Sequence, residues 1–231
     1  MELFEYIFRN KKVLLEISEG VMTPSSYSLL IANNLENYRA EKCLDIGTGC
    51  GFLGMLLALN GSSEVLCTDI SEVAIGNTNA NALLNGVNNM KVLYSNMFSA
   101  FKKGGGIFDL IVFNPPSFPA LSSKGLRPNF YAGKDGRKFI DILLDSGMDY
   151  LKENGKILFV QNSLSNPDKT FSFLREKGIN YNIVNESIVE FRKEYYLYVN
   201  HILRLKETNE SYFDKVGDKY FQKLYLIEMV K

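Results

Sequence analysis

Residues 43–51 read Cys43-Leu44-Asp45-Ile46-Gly47-Thr48-Gly49-Cys50-Gly51, and FLGMLLALN follows them. A short buried-strand pattern runs into a turn with three glycines and then into an apolar helical pattern, which is how a strand-helix-strand unit opens. Glycine lets the backbone turn tightly and bring its amides close to a ligand. Outward from this stretch the alternation repeats. VLCTDI at 65–70 precedes SEVAIGNTNANALL, KVLY stands at 91–94, and FDLIVF at 108–113 precedes a helical pattern near 137–151. KILFVQ at 156–161 precedes another near 167–177. This order predicts an α/β fold, a doubly wound and mostly parallel sheet whose ligands bind at the carboxyl ends of the strands.

The flanks add to this core. TPSSYSLLIANNLE predicts a helix with a serine N-cap and Leu29, Leu30 and Leu35 as apolar positions, and the first twenty residues suit a small edge hairpin. NYNIVNESIVEF and QKLYLIEMV read as two further strands, while the aromatic-rich stretch between them shows no decisive period. Turns are expected at GGG 104–106, NPD 166–168 and the loop from Ser117 to Gly136.

A chain of 231 residues suits one domain. It divides into residues 1–40 (edge hairpin and helix), 41–165 (core) and 166–231 (terminal strands and helices). Basic and acidic residues balance at 26 each, so no global positive field attracts a nucleic-acid backbone. The three cysteines form no C-x-x-C pair and there is a single histidine, so no metal site is expected. An odd cysteine count and a mixed, charged start point to the cytoplasm, and no apolar run reaches the roughly 20 residues of a membrane span.

The glycine loop by itself is open to several readings. Gly49, Gly51 and Gly54 satisfy G-x-G-x-x-G and Asp69 lies at about the spacing of a ribose-binding acid, so a nicotinamide-dependent oxidoreductase is one of them. A glycine turn that merely packs helix on strand is another. Asp69 ends the second strand, where a carboxylate can accept bonds from both ribose hydroxyls. Asn96-Met97-Phe98 ends the third, where Asn96 can bond an adenine edge and Met97 cover its face.

Asn114-Pro115-Pro116-Ser117 separates methyl transfer from hydride transfer. Two prolines lock the backbone and remove two amide donors, leaving the carbonyls of Asn114 and Pro115 free to face a ligand. An NH2 nucleophile can bond the Asn114 side-chain oxygen and the Pro115 carbonyl, which holds its nitrogen in line with an electrophilic methyl. The alternative is a rigid exit from a strand.

Taken together, DIGTGCG, CTDIS, ANALLNG, SNMF and NPPS resemble the motifs of the HemK-like, release-factor glutamine methyltransferase group of class I enzymes over roughly residues 20–165. VMTPSSYSLL is similar to that group's cofactor-closing segment, and YAGKDGRKFID to its glycine-rich approach to the next helix. The resemblance implies a seven-stranded Rossmann-like methyltransferase sheet with an antiparallel edge strand. It also implies S-adenosylmethionine as cofactor and N-methyl transfer to a protein glutamine, a nucleobase or a small molecule. Cofactor contacts would come from Ser28, Asp45, Gly47, Thr48, Gly49, Gly51, Asp69, Ile70, Asn96, Met97 and Asn114. Catalysis would rest on Asn114, Pro115 and Pro116.

Ser117 stands where the group's motif NPPY has an aromatic, so stacking on an acceptor is expected from Phe118, Phe130 or Tyr131, with Ser117 beside them. Only about 40 residues precede the first core strand, too few for the helical docking domain of the bacterial members. Lys124, Arg127, Lys134, Arg137 and Lys138 make the following loop basic, suited to an anionic or planar acceptor. A catalytically silent subunit with this fold, a homodimer and a partner subunit are all compatible with the aromatic tail.

Overall fold

A computed structural model describes residues 2–127 and 129–231. Two compact units emerge: Met1–Asn114 with Asp149–Leu158 and Lys231, and Pro115–Met148 with Phe159–Val230. Ten strands and six α-helices are present among the described residues.

In the first unit, β1 (Glu2–Phe8) and β2 (Lys11–Ile17) form the expected antiparallel hairpin. Val13, Leu15 and Ile17 alternate inward, as period two requires. α1 (Ser26–Ala32) starts from Ser25 at its N-cap. β3 (Lys42–Ile46), α2 (Phe52–Leu59), β4 (Glu64–Asp69), α3 (Glu72–Leu84), β5 (Met90–Tyr94) and β6 (Phe108–Phe113) follow. α2 is buried along nearly its whole length, so its apolar run FLGMLLAL serves a core rather than an amphipathic surface.

The strand order β5-β4-β3-β6 carries the main consequence for function. Successive crossovers step from β3 to β4 to β5 in one direction, and β6 then lies on the other side of β3, parallel to it. The strand order therefore reverses between β3 and β6, where an open α/β sheet leaves a crevice at its carboxyl edge. Register places Ile46 opposite both Thr68 and Phe113, and Asp69 opposite Tyr94. The loops beginning at Gly47, Ile70, Ser95 and Asn114 thus all leave the sheet on one edge.

α3 also secures the hairpin. Asn77, Asn81 and Asn85 recur every four residues, and their amides bond the backbone of Ser18, Glu16 and Leu14 at 2.7–3.1 Å. Four helical residues rise about 6 Å and two strand residues about 6.7 Å, so three side chains can follow the edge of β2 as a neighbouring strand would.

β7 (Leu151–Asn162) is shared by the units, its first part lying beside β6 in the first. In the second unit it neighbours β10 (Lys219–Val230), which pairs antiparallel with β8 (Asn180–Glu190) and with the short β9 (Asp214–Val216). Gly155 accepts from Lys231 N and Ser163 N donates to Lys223 O, so eight residues up β7 match eight down the final segment. That inverse register makes β10 antiparallel to β7. The unit also holds α4 (Lys138–Ser146), α5 (Pro167–Glu176) and α6 (Val199–Glu207). The main path therefore has the seven strands expected, mostly parallel, with β10 running antiparallel between β7 and β8 at one side and β9 as an eighth.

Among the described residues no helix is long and apolar enough to cross a membrane.

Candidate active site

The glycines of the first βα turn divide by what surrounds them. Gly47, Gly49 and Gly51 have φ of 65°, 60° and 86°, a left-handed region that other residues enter at a cost. A Cβ on Gly51 would lie 2.9 Å from Thr78 Cγ2, and one on Gly54, inside α2, would lie 2.3 Å from Cys67 Sγ. Those two permit close packing. A Cβ on Gly49 would meet nothing within 4 Å, and one on Gly47 only the Phe113 ring edge at 3.9 Å. The backbone at Gly47 and Gly49 is therefore approachable by a ligand.

Two carboxylates hold this turn. Asp45 is buried at the end of β3, and its Oδ2 accepts from Thr48 Oγ1 at 2.7 Å and from Gly54 N at 2.9 Å. Burial pushes its carboxyl up to about 7 against the opposing pull of those two bonds, and the nearby Asp69 charge adds to the rise. Asp69, half-buried, accepts from Gly49 N through Oδ2 at 3.0 Å and from Ser71 N through Oδ1 at 2.9 Å. A carboxylate oxygen has two lone pairs, so each retains one for a ligand. Ile70 beside it is exposed. α3 straps the turn from behind: Thr78 Oγ1 donates to Gly49 O at 3.0 Å and Asn81 Nδ2 to Cys50 O at 2.9 Å.

After β5 the chain reverses at Met97, whose φ of 52° is unusual for a residue with a long side chain. Ser95 Oγ stabilises the reversal, donating to Met97 O at 2.9 Å and accepting from Ala100 N at 3.1 Å. Asn96 is exposed while Met97 and Phe98 are buried, and Phe98 stacks on Tyr150.

Asn114 follows β6 directly. Its Nδ2 donates to Ser28 Oγ at 3.1 Å, joining the end of β6 to the first turn of α1. The same Oγ accepts from Ser25 N at 3.4 Å. With its nitrogen so used, the Asn114 amide has a defined orientation, and among the described residues no donor occupies its Oδ1.

Pro115 begins the second unit. Ser117 is 4% exposed, and both its carbonyl and its hydroxyl accept from Asn162 Nδ2, at 3.2 and 3.0 Å. Phe118 is 1% exposed and stacks on Tyr195 with ring centres 3.8 Å apart. Phe130 is also buried, meeting Tyr195 edge-on and the Arg192 guanidinium at 5.0 Å. Stacking faces expected from the sequence are thus already engaged by the protein, and Tyr131, half-buried, is the most accessible of the three aromatics.

Arg137 is not the loop cation its neighbours suggest. It is 1% exposed, and its guanidinium donates to the carbonyls of Ser165 and Asn166, to Thr170 Oγ1 and to Asp141 Oδ1 at 2.6–3.0 Å. Only a fork of donors fills that set, so Arg137 serves the α4 and α5 ends rather than an acceptor. Sequence reasoning also passed over Asn162; its place at the carboxyl end of a core strand was the available signal.

Comparison with known proteins gives the family. The chain matches the family described as Methyltransferase small domain over residues 25–190 and belongs to it. It is a methyltransferase. A relative, MJ0928 of Methanocaldococcus jannaschii, provisionally named a protein N5-glutamine methyltransferase, is 30% identical over 185 residues, covering 78% of this chain and 92% of the relative. Among solved structures, the E. cuniculi Mtq2–Trm112 complex, responsible for methylation of the eRF1 translation termination factor, has the same fold. Its TM-score is 0.59 at 16% identity, covering 92% of this chain and 99% of that one. SMU.776, solved in complex with SAH, gives a TM-score of 0.60 at 18% identity over 98% of this chain and 56% of its own.

Proposed function

We propose that this chain transfers the methyl group of S-adenosylmethionine to the side-chain amide nitrogen of a protein glutamine, on a substrate of the translation termination factor kind. The observation that carries the reading is the Asn114 amide, whose nitrogen is spent on Ser28 and whose oxygen is left to accept. The residues present fit the cofactor: the open backbone at Gly47 and Gly49 can receive its amino-acid end, and Asp69 keeps a lone pair on each oxygen for ribose hydroxyls. When bound, the cofactor supplies an electrophilic methyl on a sulfonium.

The chain's own groups would do the rest. Asn114 Oδ1 accepts one N–H of the acceptor amide and the Pro115 carbonyl the other, fixing the nitrogen and drawing positive charge toward protein oxygens as the new bond forms. Pro116 keeps the backbone from turning its own amide into that place. Asp45 acts through the turn that it braces, and Thr48, Gly51, Ile70, Asn96 and Met97 complete the cofactor wall.

A glutamine fits better than a nucleobase. Planar bases are recognised by stacking, and Phe118 and Phe130 have their faces occupied within the fold. The relative named for N5-glutamine methylation points the same way. Three free, buried cysteines, with Cys43 pushed up to about 11 and Cys50 to about 12 by burial, suit a reducing cytoplasm. Exposed Leu93 and Tyr94 on the edge strand β5 offer a second copy or a small partner subunit a place to bind.

The test is to incubate the pure chain with methyl-tritiated S-adenosylmethionine and cell extract, with Asn114→Ala in parallel. Label in the protein fraction, recovered as N5-methylglutamine after complete proteolytic digestion and as methylamine after acid hydrolysis, and missing with the variant, is expected. Label in nucleic acid or small molecules, or undiminished label with the variant, would overturn the reading.

A further inference from the structure

The segment between β8 and β10 has no part in the function as read so far, yet it is tied at four places to the loop that follows Asn-Pro-Pro. Tyr195 lies under Phe118 and against Phe130. Tyr198 Oη donates to Lys124 O and lies 3.1 Å from Ser122 Oγ. His201 Nε2 lies 2.6 Å from Lys134 O, and Glu194 pairs with Arg127 at 3.6 Å. These contacts reach residues 118, 122, 124, 127, 130 and 134, so they bracket most of the loop. Its far end is fixed as well, because a Cβ at Gly136 would lie 2.6 Å from Ser117 O.

We infer that residues 191–213 form a clasp that sets the acceptor loop, and that Tyr198 and His201 are positioning residues for the methyl acceptor. The inference rests on the proposed function for the identity of the acceptor, though not for the clasp itself. Its logic is one of division of labour. The aromatic rings anchor the loop by burial, which any apolar pair could do. The two polar bonds reach backbone carbonyls, so they constrain the path of the loop whatever its side chains. Loops of 20 residues with little structure of their own lie free unless something of this kind holds them. Here the helical turn at 193–198 and α6, which follows it without a break, present Tyr198 and His201 within three residues of each other.

Tyr198→Phe keeps the ring and loses the hydroxyl; His201→Ala loses the imidazole; His201→Gln returns an amide nitrogen at about the position of Nε2. Three readouts separate the clasp from general stability: amide hydrogen exchange over residues 117–136, S-adenosylhomocysteine affinity by calorimetry, and KM against kcat for a purified termination factor. Tyr198→Phe and His201→Ala are expected to speed exchange in the loop. Each should raise the acceptor KM roughly fivefold, the worth of one neutral hydrogen bond, with cofactor affinity unchanged. His201→Gln should recover most of both effects. Unaltered exchange across 117–136 in both variants would overturn the clasp. If the wild-type chain leaves the termination factor unmethylated, the functional reading fails while the exchange measurement still decides the clasp.

Discussion

Ser28 and Asn114 stand 86 residues apart and meet at 3.1 Å, so a helix-capping serine sets the orientation of the amide that the proposed chemistry depends on. Asn114→Ala should lower kcat by roughly 10²–10³-fold or more, as loss of a preorganised polar group does, with S-adenosylhomocysteine affinity changed only several fold. Ser28→Ala should cost about tenfold in kcat, because Asn114 remains but turns more freely. Steady-state kinetics with matched calorimetry read both.

Gly54 and Cys67 make a second test, of packing rather than chemistry. Gly54→Ala puts a methyl 2.3 Å from Cys67 Sγ and should destabilise the chain by about 1–3 kcal/mol. Cys67→Ala removes the obstructing sulfur, so the double variant should be more stable than the sum of the single changes implies. Denaturant unfolding of the four proteins gives the coupling.

Much of this was readable beforehand. The strands and helices around the glycine turn announced themselves by period, because buried strands and packed helices leave clear apolar patterns. Residues 191–213 did not, since a 3-10 turn at 193–198 and α6 at 199–207 follow different periods within one short stretch. Ser117 and Arg137 were legible as residue types and misleading as to place. Which way a loop side chain turns depends on partners such as Asn162 and Thr170, which come from elsewhere in the chain.

Asp45 gives the chain a pH dependence of known sign. In the unfolded chain its carboxyl ionises near 3.8, and in the fold near 7, so between those values the native state holds the extra proton. Its contribution is complete below about pH 4 and fades as pH rises through 7, with an amplitude on the order of a few kcal/mol. Glu64, held down to about 2 by hydrogen bonds from Lys91 and Lys42, acts oppositely and only at lower pH. Melting temperatures from pH 5 to 8 should fall in the wild type and be flatter in Asp45→Asn.

Replacing Arg137 should injure the fold first. Arg137→Met strips the Asn166 carbonyl and Thr170 Oγ1 of this donor and leaves the buried Ser165 carbonyl with Gln161 Nε2 alone, and a loss of about 1–3 kcal/mol is expected. Arg137→Lys should recover little, since one ammonium cannot span four acceptors. If instead Arg137→Met melts like the wild type and loses only acceptor affinity, the guanidinium belongs to the acceptor site after all.

Asn81 has a reach that its position on a helix conceals. One nitrogen donates both to Glu16 O in the hairpin and to Cys50 O in the glycine turn. The hairpin and the glycine turn, remote in sequence, therefore share one side-chain amide, whose two N–H groups serve one carbonyl in each. The N-terminal hairpin is in that sense part of the frame of the glycine turn.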